Sequence, residues 1–362
     1  MSRTLVYIAC SAGGAIDALA LDPDSGALEP LGRTHGVDDV SALALDPAGV
    51  LYAACNADRP GPKVPPRVVA LSLDPRTGEA TAGAARDVPV TTCYVALTPD
   101  RGELFGASYH EGTLVRVPVP AAAGRVRTYA SGANTHCAVV SPDGRFVYAA
   151  SLGDDRISWF DVAIDPASTA GTADDGAIAP SGHVATKQGS GPRHLRFSAD
   201  GSRVYVLHEL SGDVAVYERD AATGELALLQ RVSAVGGMEL EPGPVRSAST
   251  PDPGPGVVWC ADLRLTPDGR FLMASERSTS SVATFAVRGE GLLEFLGHTR
   301  TEAQPRGMAI DPSGRFLLVC GERSDHVSSY RIGEDGSLTS VSRAATAAGP
   351  LWIETWAPAS NL

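Results

Sequence analysis

A chain of 362 residues that is 43% hydrophobic and 20% charged, with 39 glycines and 26 prolines, can bury a sizeable core between many turns, which excludes a disordered chain. Length leaves open either several average domains or one large closed all-β ring. A net charge of −12 without any Lys/Arg cluster excludes a nucleic-acid partner, which needs a basic face, although an anionic small molecule requires only locally placed arginines.

Near the N-terminus the apolar run Leu5 to Cys10 is too short for a signal segment, and no run reaches transmembrane length, so a cytoplasmic protein without a membrane partner is expected. The cysteines (Cys10, Cys55, Cys93, Cys137, Cys260, Cys320) are widely spaced and form no CxxC. They are read as buried free thiols, with no metal site and no cofactor expected.

The stretch TLVYIACSAGGAIDALALDPDSGAL reads like the second, third and fourth strands of a unit whose first strand is missing. Turn tetrapeptides then recur along the chain: DPAG at 46–49, SPDG at 141–144, SADG at 198–201, TPDG at 266–269 and DPSG at 311–314. A further one, TPDRG at 98–102, has its glycine displaced by one, so Arg101 takes the turn position. In each, an acid or hydroxyl side chain caps the backbone and the last residue takes positive φ, which marks six hairpins. A third strand pattern follows, as in ISWFDV (157–162), VAVYER (214–219), VATFAV (282–287) and VSSYRI (327–332). Turns such as DPRTG, DAATG and GEDG then lead into a fourth strand.

Four antiparallel strands in each long-period unit predict the blades of a β-propeller. GPLWIETWAP (349–358) reads like a solitary innermost strand. Paired with the N-terminal strands it makes a seventh blade and removes the open edges. The expected architecture is therefore an all-β, seven-bladed propeller spanning 1–362 as one domain. The Pro/Gly-rich connection Gly236 to Gly256 and the loop DRPGPKVPP (58–66) should overhang the face that carries the starts of the innermost strands. The insertion Asp165 to Gly176 should lie on the opposite face.

Counting eight residues back from each turn gives a column of Ser41, Cys93, His136, Arg193, Ala261 and Arg306. Counting eight forward gives Ala57, Tyr109, Leu152, Glu209, Arg277 and Glu322. Innermost strands line a narrow channel, so both columns converge at its mouth. His136, with Asn134 nearby, is a titratable proton carrier. Arg193 and Arg277 offer forks for a carboxylate or phosphate, and Glu209 is the candidate acid or base between them. Tyr109, His110, Asn134, His194, His208, Glu276, Arg306 and Glu322 are the expected substrate-binding tier. No P-loop, GxGxxG, HExxH or GxSxG is present, and although the Cys93–Tyr94 and His136–Cys137 pairs could suggest a thiol nucleophile, nothing in the sequence fixes a Cys/His contact.

The segments NTHCAVVSPDGRFVYAASLGDDRI, GPRHLRFSADGSRVYVLHEL, CADLRLTPDGRFLMASERS and PRGMAIDPSGRFLLVCGERSD carry a specific resemblance over nearly the whole chain. They resemble the seven-bladed lactonase family, which includes propeller-type 6-phosphogluconolactonases and fungal-type carboxymuconate lactonizing enzymes. The resemblance implies a catalytic constellation of His136, Arg193, Glu209 and Arg277 that opens a small anionic lactone with water and without a metal. Its runner-up is a cycloisomerase that closes an unsaturated diacid, and a non-catalytic scaffold ring, expected as a monomer like the enzyme, is the reading from another class. The family pattern has Asn where this chain has His208 and Glu276, Asp where it has Ser151, and Asn-Gln where it has Gly321-Glu322. These departures bear on the substrate, and His208 stands out among them.

Overall fold

The computed structural model describes residues 3–56, 64–119, 124–163, 179–247, 250 and 252–358. Blade one holds β1 (Thr4–Cys10), β2 (Ala15–Leu21) and β3 (Leu28–His35); blade two holds β4 (Val40–Asp46), β5 (Val50–Cys55), β6 (Arg67–Leu73) and β7 (Ala80–Asp87). Blade three has β8 (Tyr94–Leu97), β9 (Glu103–Ser108), β10 (Thr113–Pro118) and β11 (Arg127–Ala130); blade four has β12 (Thr135–Val140), β13 (Phe146–Ser151), β14 (Arg156–Asp161) and β15 (Gly182–Ala185). Blade five has β16 (Pro192–Phe197), β17 (Arg203–His208), β18 (Asp213–Arg219) and β19 (Leu226–Ser233); blade six has β20 (Cys260–Leu265), β21 (Phe271–Glu276), β22 (Ser281–Arg288) and β23 (Leu292–Arg300). Blade seven has β24 (Pro305–Ile310), β25 (Phe316–Gly321), β26 (His326–Ile332) and β27 (Leu338–Ala345). The last strand, β28 (Pro350–Trp356), returns to blade one, whose sheet order is β28-β1-β2-β3.

Every other sheet keeps its four strands in sequence order, so each is an antiparallel meander. The turns form as their residues dictate. In blade five Ser198 Oγ bonds Asp200, Asp200 accepts from Ser202 N at 3.1 Å, and Gly201 takes φ +69. In blade three Arg101 occupies this position at φ +60, a strained place for a side chain that glycine fills in the other hairpins.

The innermost strands β28, β4, β8, β12, β16, β20 and β24 contact one another in that cyclic order, which closes the ring. β1 and β2 are buried along their whole length and the outer strand β3 is largely exposed, so apolar density falls outward along each blade. The core is apolar packing between neighbouring blades, with Tyr7, Tyr129, Tyr148, Tyr205, Tyr217 and Phe316 fully buried. All six cysteines are free thiols, and no helix among the described residues is long and apolar enough to cross a membrane. The insertion 165–176, residues 58–63 of the blade-two loop, and Ala57 lie outside the described residues.

Candidate active site

A local irregularity of the innermost strands aims the candidate side chains. In six blades the pairing of the inner two strands slips by one residue at the same level, leaving one extra residue unpaired on the innermost strand. That residue is Leu351 in blade one, Ser41 in blade two, His136 in blade four, Arg193 in blade five and Arg306 in blade seven, while blade six slips across Ala261 and Asp262. In blade three Cys93 precedes β8 and shares Ala107 with Tyr94 as partner. A β-bulge twists its strand and re-aims the extra side chain, here toward the channel mouth. The column eight residues before the turn is thus a column of bulges. Leu351 belongs to it too, although the recurring turn tetrapeptide does not follow β28 in the sequence to count from.

The second column is placed by one recurring hydrogen bond, from its backbone N–H to the carbonyl two residues before the bulge. Glu209 bonds Gly191 (2.8 Å), Arg277 bonds Trp259 (3.1 Å), Glu322 bonds Gln304 (3.0 Å) and Leu152 bonds Asn134 (3.1 Å). In blade two Asn56 takes this role by bonding Asp39, because Asp46 and Val50 close the DPAG turn one residue tighter. The count that pointed to Ala57 overshoots by one.

Arg193 Nε lies 2.7 Å from Glu209 Oε2, and Arg277 Nη2 approaches the same oxygen at 3.2 Å. All three side chains are buried. Burial pushes the Glu209 carboxyl up, but Arg277, Arg193 and Arg306 outweigh it, together with a hydrogen bond from the Trp259 indole (3.0 Å), and hold it below the usual carboxylate value. Burial lowers Arg277, but it remains protonated at neutral pH with Glu209 as its counter-ion.

His136 is also buried. Burial, then the fields of Arg193, His194 and Arg306, push its pKa well below 6.5, so the imidazole is neutral at neutral pH. Its ring packs edge-on against Tyr109 and His194, at centroid distances of 5.6 and 5.4 Å. Its Nδ1 is 3.9 Å from the Sγ of Cys93, so the structure does bring this thiol to this imidazole. Burial pushes the thiol up to about 12, however, which leaves it protonated and unsuited to nucleophilic attack.

Arg193 has a second support. His194 Nδ1 donates to Asp262 (2.9 Å), and its Nε2 accepts from Arg193 Nη1 at 3.0 Å. Asp262 is itself fixed by the backbone N–H groups of Leu263 (2.8 Å) and Met308 (3.0 Å) and by Arg264 Nε (3.0 Å). Burial opposes its charge, but Arg264, His194 and Arg196 hold it ionised, which fixes the tautomer of His194.

A cavity of about 810 Å³ opens at this mouth, lined by Ser41, Cys93, Tyr109, His110, Trp259, Arg306 and Glu322 among others. His136, Arg193, Glu209 and Arg277 lie just beneath its floor rather than on its wall. They are roofed by the connection between β19 and β20. Trp259, at its end, holds its ring centroid 3.7 Å from the Arg277 guanidinium and 4.5 Å from that of Arg246, while the Arg246 carbonyl accepts from Tyr109 Oη (2.8 Å). This connection overhangs the mouth as its place in the blade order predicts.

Of the expected binding tier, Tyr109, His110, Arg306 and Glu322 line the cavity, and Arg306 pairs with Glu322 at 2.9 Å. The others do not. His194 is spent on Arg193 and Asp262. Glu276 accepts from the backbone of Trp259 (2.7 Å) and Thr279 (2.6 Å), so it braces loops. Asn134, at φ +54, turns the chain ahead of β12 and borders a shallow depression beside the cavity. His208 is fully buried, with Nδ1 3.2 Å from the Asp213 carbonyl, and cannot read a substrate directly. The sequence reading missed Trp259, whose only signal is an aromatic residue directly before an innermost strand. It also missed Asp262.

The family model described as "Lactonase, 7-bladed beta-propeller" matches residues 5–355. The chain is 31% identical over 250 residues to a 6-phosphogluconolactonase of Pectobacterium carotovorum and 30% identical over 250 residues to one of Klebsiella pneumoniae, covering 68% of each chain in both cases. Among solved structures it is similar to the periplasmic gluconolactonase of Pseudomonas aeruginosa, with a TM-score of 0.80, 27% identity, and coverage of 99% of this chain and 100% of that one.

Proposed function

The chain belongs to the seven-bladed β-propeller lactonase family, and from that premise we propose that it hydrolyses the lactone of a sugar acid, 6-phosphogluconolactone first among them. The observation that carries this reading is the buried Arg193–Glu209–Arg277 cluster, with neutral His136 alongside, beneath a cavity whose floor includes Arg306. A lactone carbonyl set over this floor develops negative charge on its oxygen when water attacks, and guanidiniums fixed by Glu209 stabilise that charge without having to reorganise. His136 takes the proton of the attacking water. As the tetrahedral intermediate collapses and the ring C–O bond breaks, the imidazolium returns that proton to the departing alkoxide.

The charge states favour hydrolysis over ring closure. At neutral pH both Glu209 and His136 are deprotonated, so these two proton carriers rest as bases. Ring closure instead needs one of them to deliver a proton to the carbanion that carboxylate addition creates, and neither carries that proton at rest. His136→Ala is therefore expected to lower kcat for lactone hydrolysis by about 10²–10⁴-fold, the usual worth of a positioned proton carrier. Full activity in that variant, followed by acid release at constant pH, would remove His136 from the mechanism. In the wild type the acid limb of kcat/KM should fall below pH 6.5, in keeping with the depressed pKa.

A further inference from the structure

The cavity rim holds an ion cluster that takes no part in the chemistry above. Asp252, in the connection between β19 and β20, is approached by two guanidiniums from distant parts of the chain. Arg246 Nη2 lies 2.8 Å from its Oδ1, and Arg323, just after β25, bonds its Oδ2. All three residues line the cavity. Arg246 is held from several sides, since Nη2 also donates to the Thr250 carbonyl (3.1 Å) and its own carbonyl accepts from Tyr109. The Arg246 and Arg277 guanidiniums flank the same indole, so their carbons lie within about 8 Å of each other. That is the scale of a six-carbon lactone from its carbonyl to its terminal substituent.

The Asp252 and Arg323 side chains are 32% and 62% exposed. Ion pairs at such exposure contribute little, so exchanging the carboxylate for another anion costs little. We propose that Arg246 and Arg323 form the subsite for a terminal phosphate monoester on the lactone, and that Asp252 is a resident carboxylate which this phosphate displaces. The inference rests on the lactonase reading.

The chemistry selects phosphate over a carboxylate. A free monoanion gains no more from the two forks than Asp252 already supplies, and it must also lose its own freedom to bind, so it has no net advantage over the resident carboxylate. A phosphomonoester carries nearly two charges and three strong acceptor oxygens, enough to engage both forks. Glu322 and Asp325 also face this rim, but Glu322 is paired with Arg306 and Asp325 accepts from the Gly349 backbone at 2.9 Å. A lactone with a neutral tail leaves Asp252 in place and gains nothing from either arginine.

The test compares 6-phosphogluconolactone with δ-gluconolactone in steady-state kinetics, and titrates 6-phosphogluconate and gluconate calorimetrically, for the wild type, Arg323→Gln and Asp252→Asn. Arg323→Gln is expected to lower the phosphorylated-to-unphosphorylated ratio of kcat/KM more than tenfold, through KM. Asp252→Asn is expected to tighten 6-phosphogluconate at least threefold, because the internal competitor is gone. Equal effects of Arg323→Gln on both lactones, or weaker 6-phosphogluconate binding by Asp252→Asn, overturn the proposal. If the wild type hydrolyses neither lactone, the lactonase reading fails by itself and the titrations decide the subsite. Binding of 6-phosphogluconate weakened tenfold by Arg323→Gln sustains it, and no binding, or binding indifferent to that change, ends it.

Discussion

His208 makes folding stability depend on pH in a way that can be worked out from its surroundings. Its side chain is fully buried, Nε2 has no hydrogen-bond partner, and burial followed by the field of Arg231 lowers its pKa from 6.5 to about 4. In the unfolded chain the imidazole titrates near 6.5, so the folded state binds fewer protons between that value and 4. Because the folded pKa is the lower one, the stabilisation is fully present above pH 6.5 and is lost as the pH falls. Linkage with these two values gives a loss of about 2 kcal/mol by pH 5 and about 3 kcal/mol by pH 4. His208→Asn keeps a polar group beside the Asp213 carbonyl and removes the titration. Urea unfolding of both proteins at pH 7.5 and pH 5 should show the wild type losing about 2 kcal/mol more than the variant over that interval. A gap between the two proteins that is the same at both pH values would refute the reasoning. His136 and His194 shift in the same direction, but they are present in both proteins and cancel.

Two further outcomes follow from the buried cluster. Glu209→Gln leaves the Arg193 and Arg277 guanidiniums buried without a counter-ion and should cost about 3–5 kcal/mol of stability in urea unfolding, the usual penalty for a broken buried pair; an unchanged midpoint would mean that the arginines find another partner. Trp259→Phe keeps an aromatic face for Arg277 but removes the N–H that Glu209 accepts, which should cost about 1.5–3 kcal/mol. A change below about 0.5 kcal/mol in the same assay would show that the indole serves only as a roof.

Much of this molecule is legible in its sequence because propeller blades are local. Each turn announces itself by an acid or hydroxyl and a residue at positive φ, and the strands follow at fixed offsets, so the hairpins and the convergence of Arg193, Glu209 and Arg277 can be counted out. Counting fails where the local rule changes. The tighter DPAG turn moves the blade-two position from Ala57 to Asn56, and the recurring turn tetrapeptide does not follow β28, which hides Leu351. It also fails for contacts made across blades. That Trp259 and Arg246 would roof the cluster, or that Asp262 of blade six would fix His194 of blade five, has no periodic signature. His208 illustrates the difference between sequence proximity and access: it adjoins Glu209, yet its side chain lies inside the blade.

The bulge that recurs on the innermost strands has an evolutionary consequence. Side chains at Leu351, Ser41, His136, Arg193 and Arg306 stand at steps where the ladder has already given up a pairing. Exchanging one of them for another residue type therefore disturbs no strand register. An apolar, hydroxyl, imidazole or guanidinium group is accepted at equivalent places around one ring. Such a scaffold can change the chemistry of its mouth one blade at a time while the rest of the fold stays as it was, which makes it a ready source of new specificities.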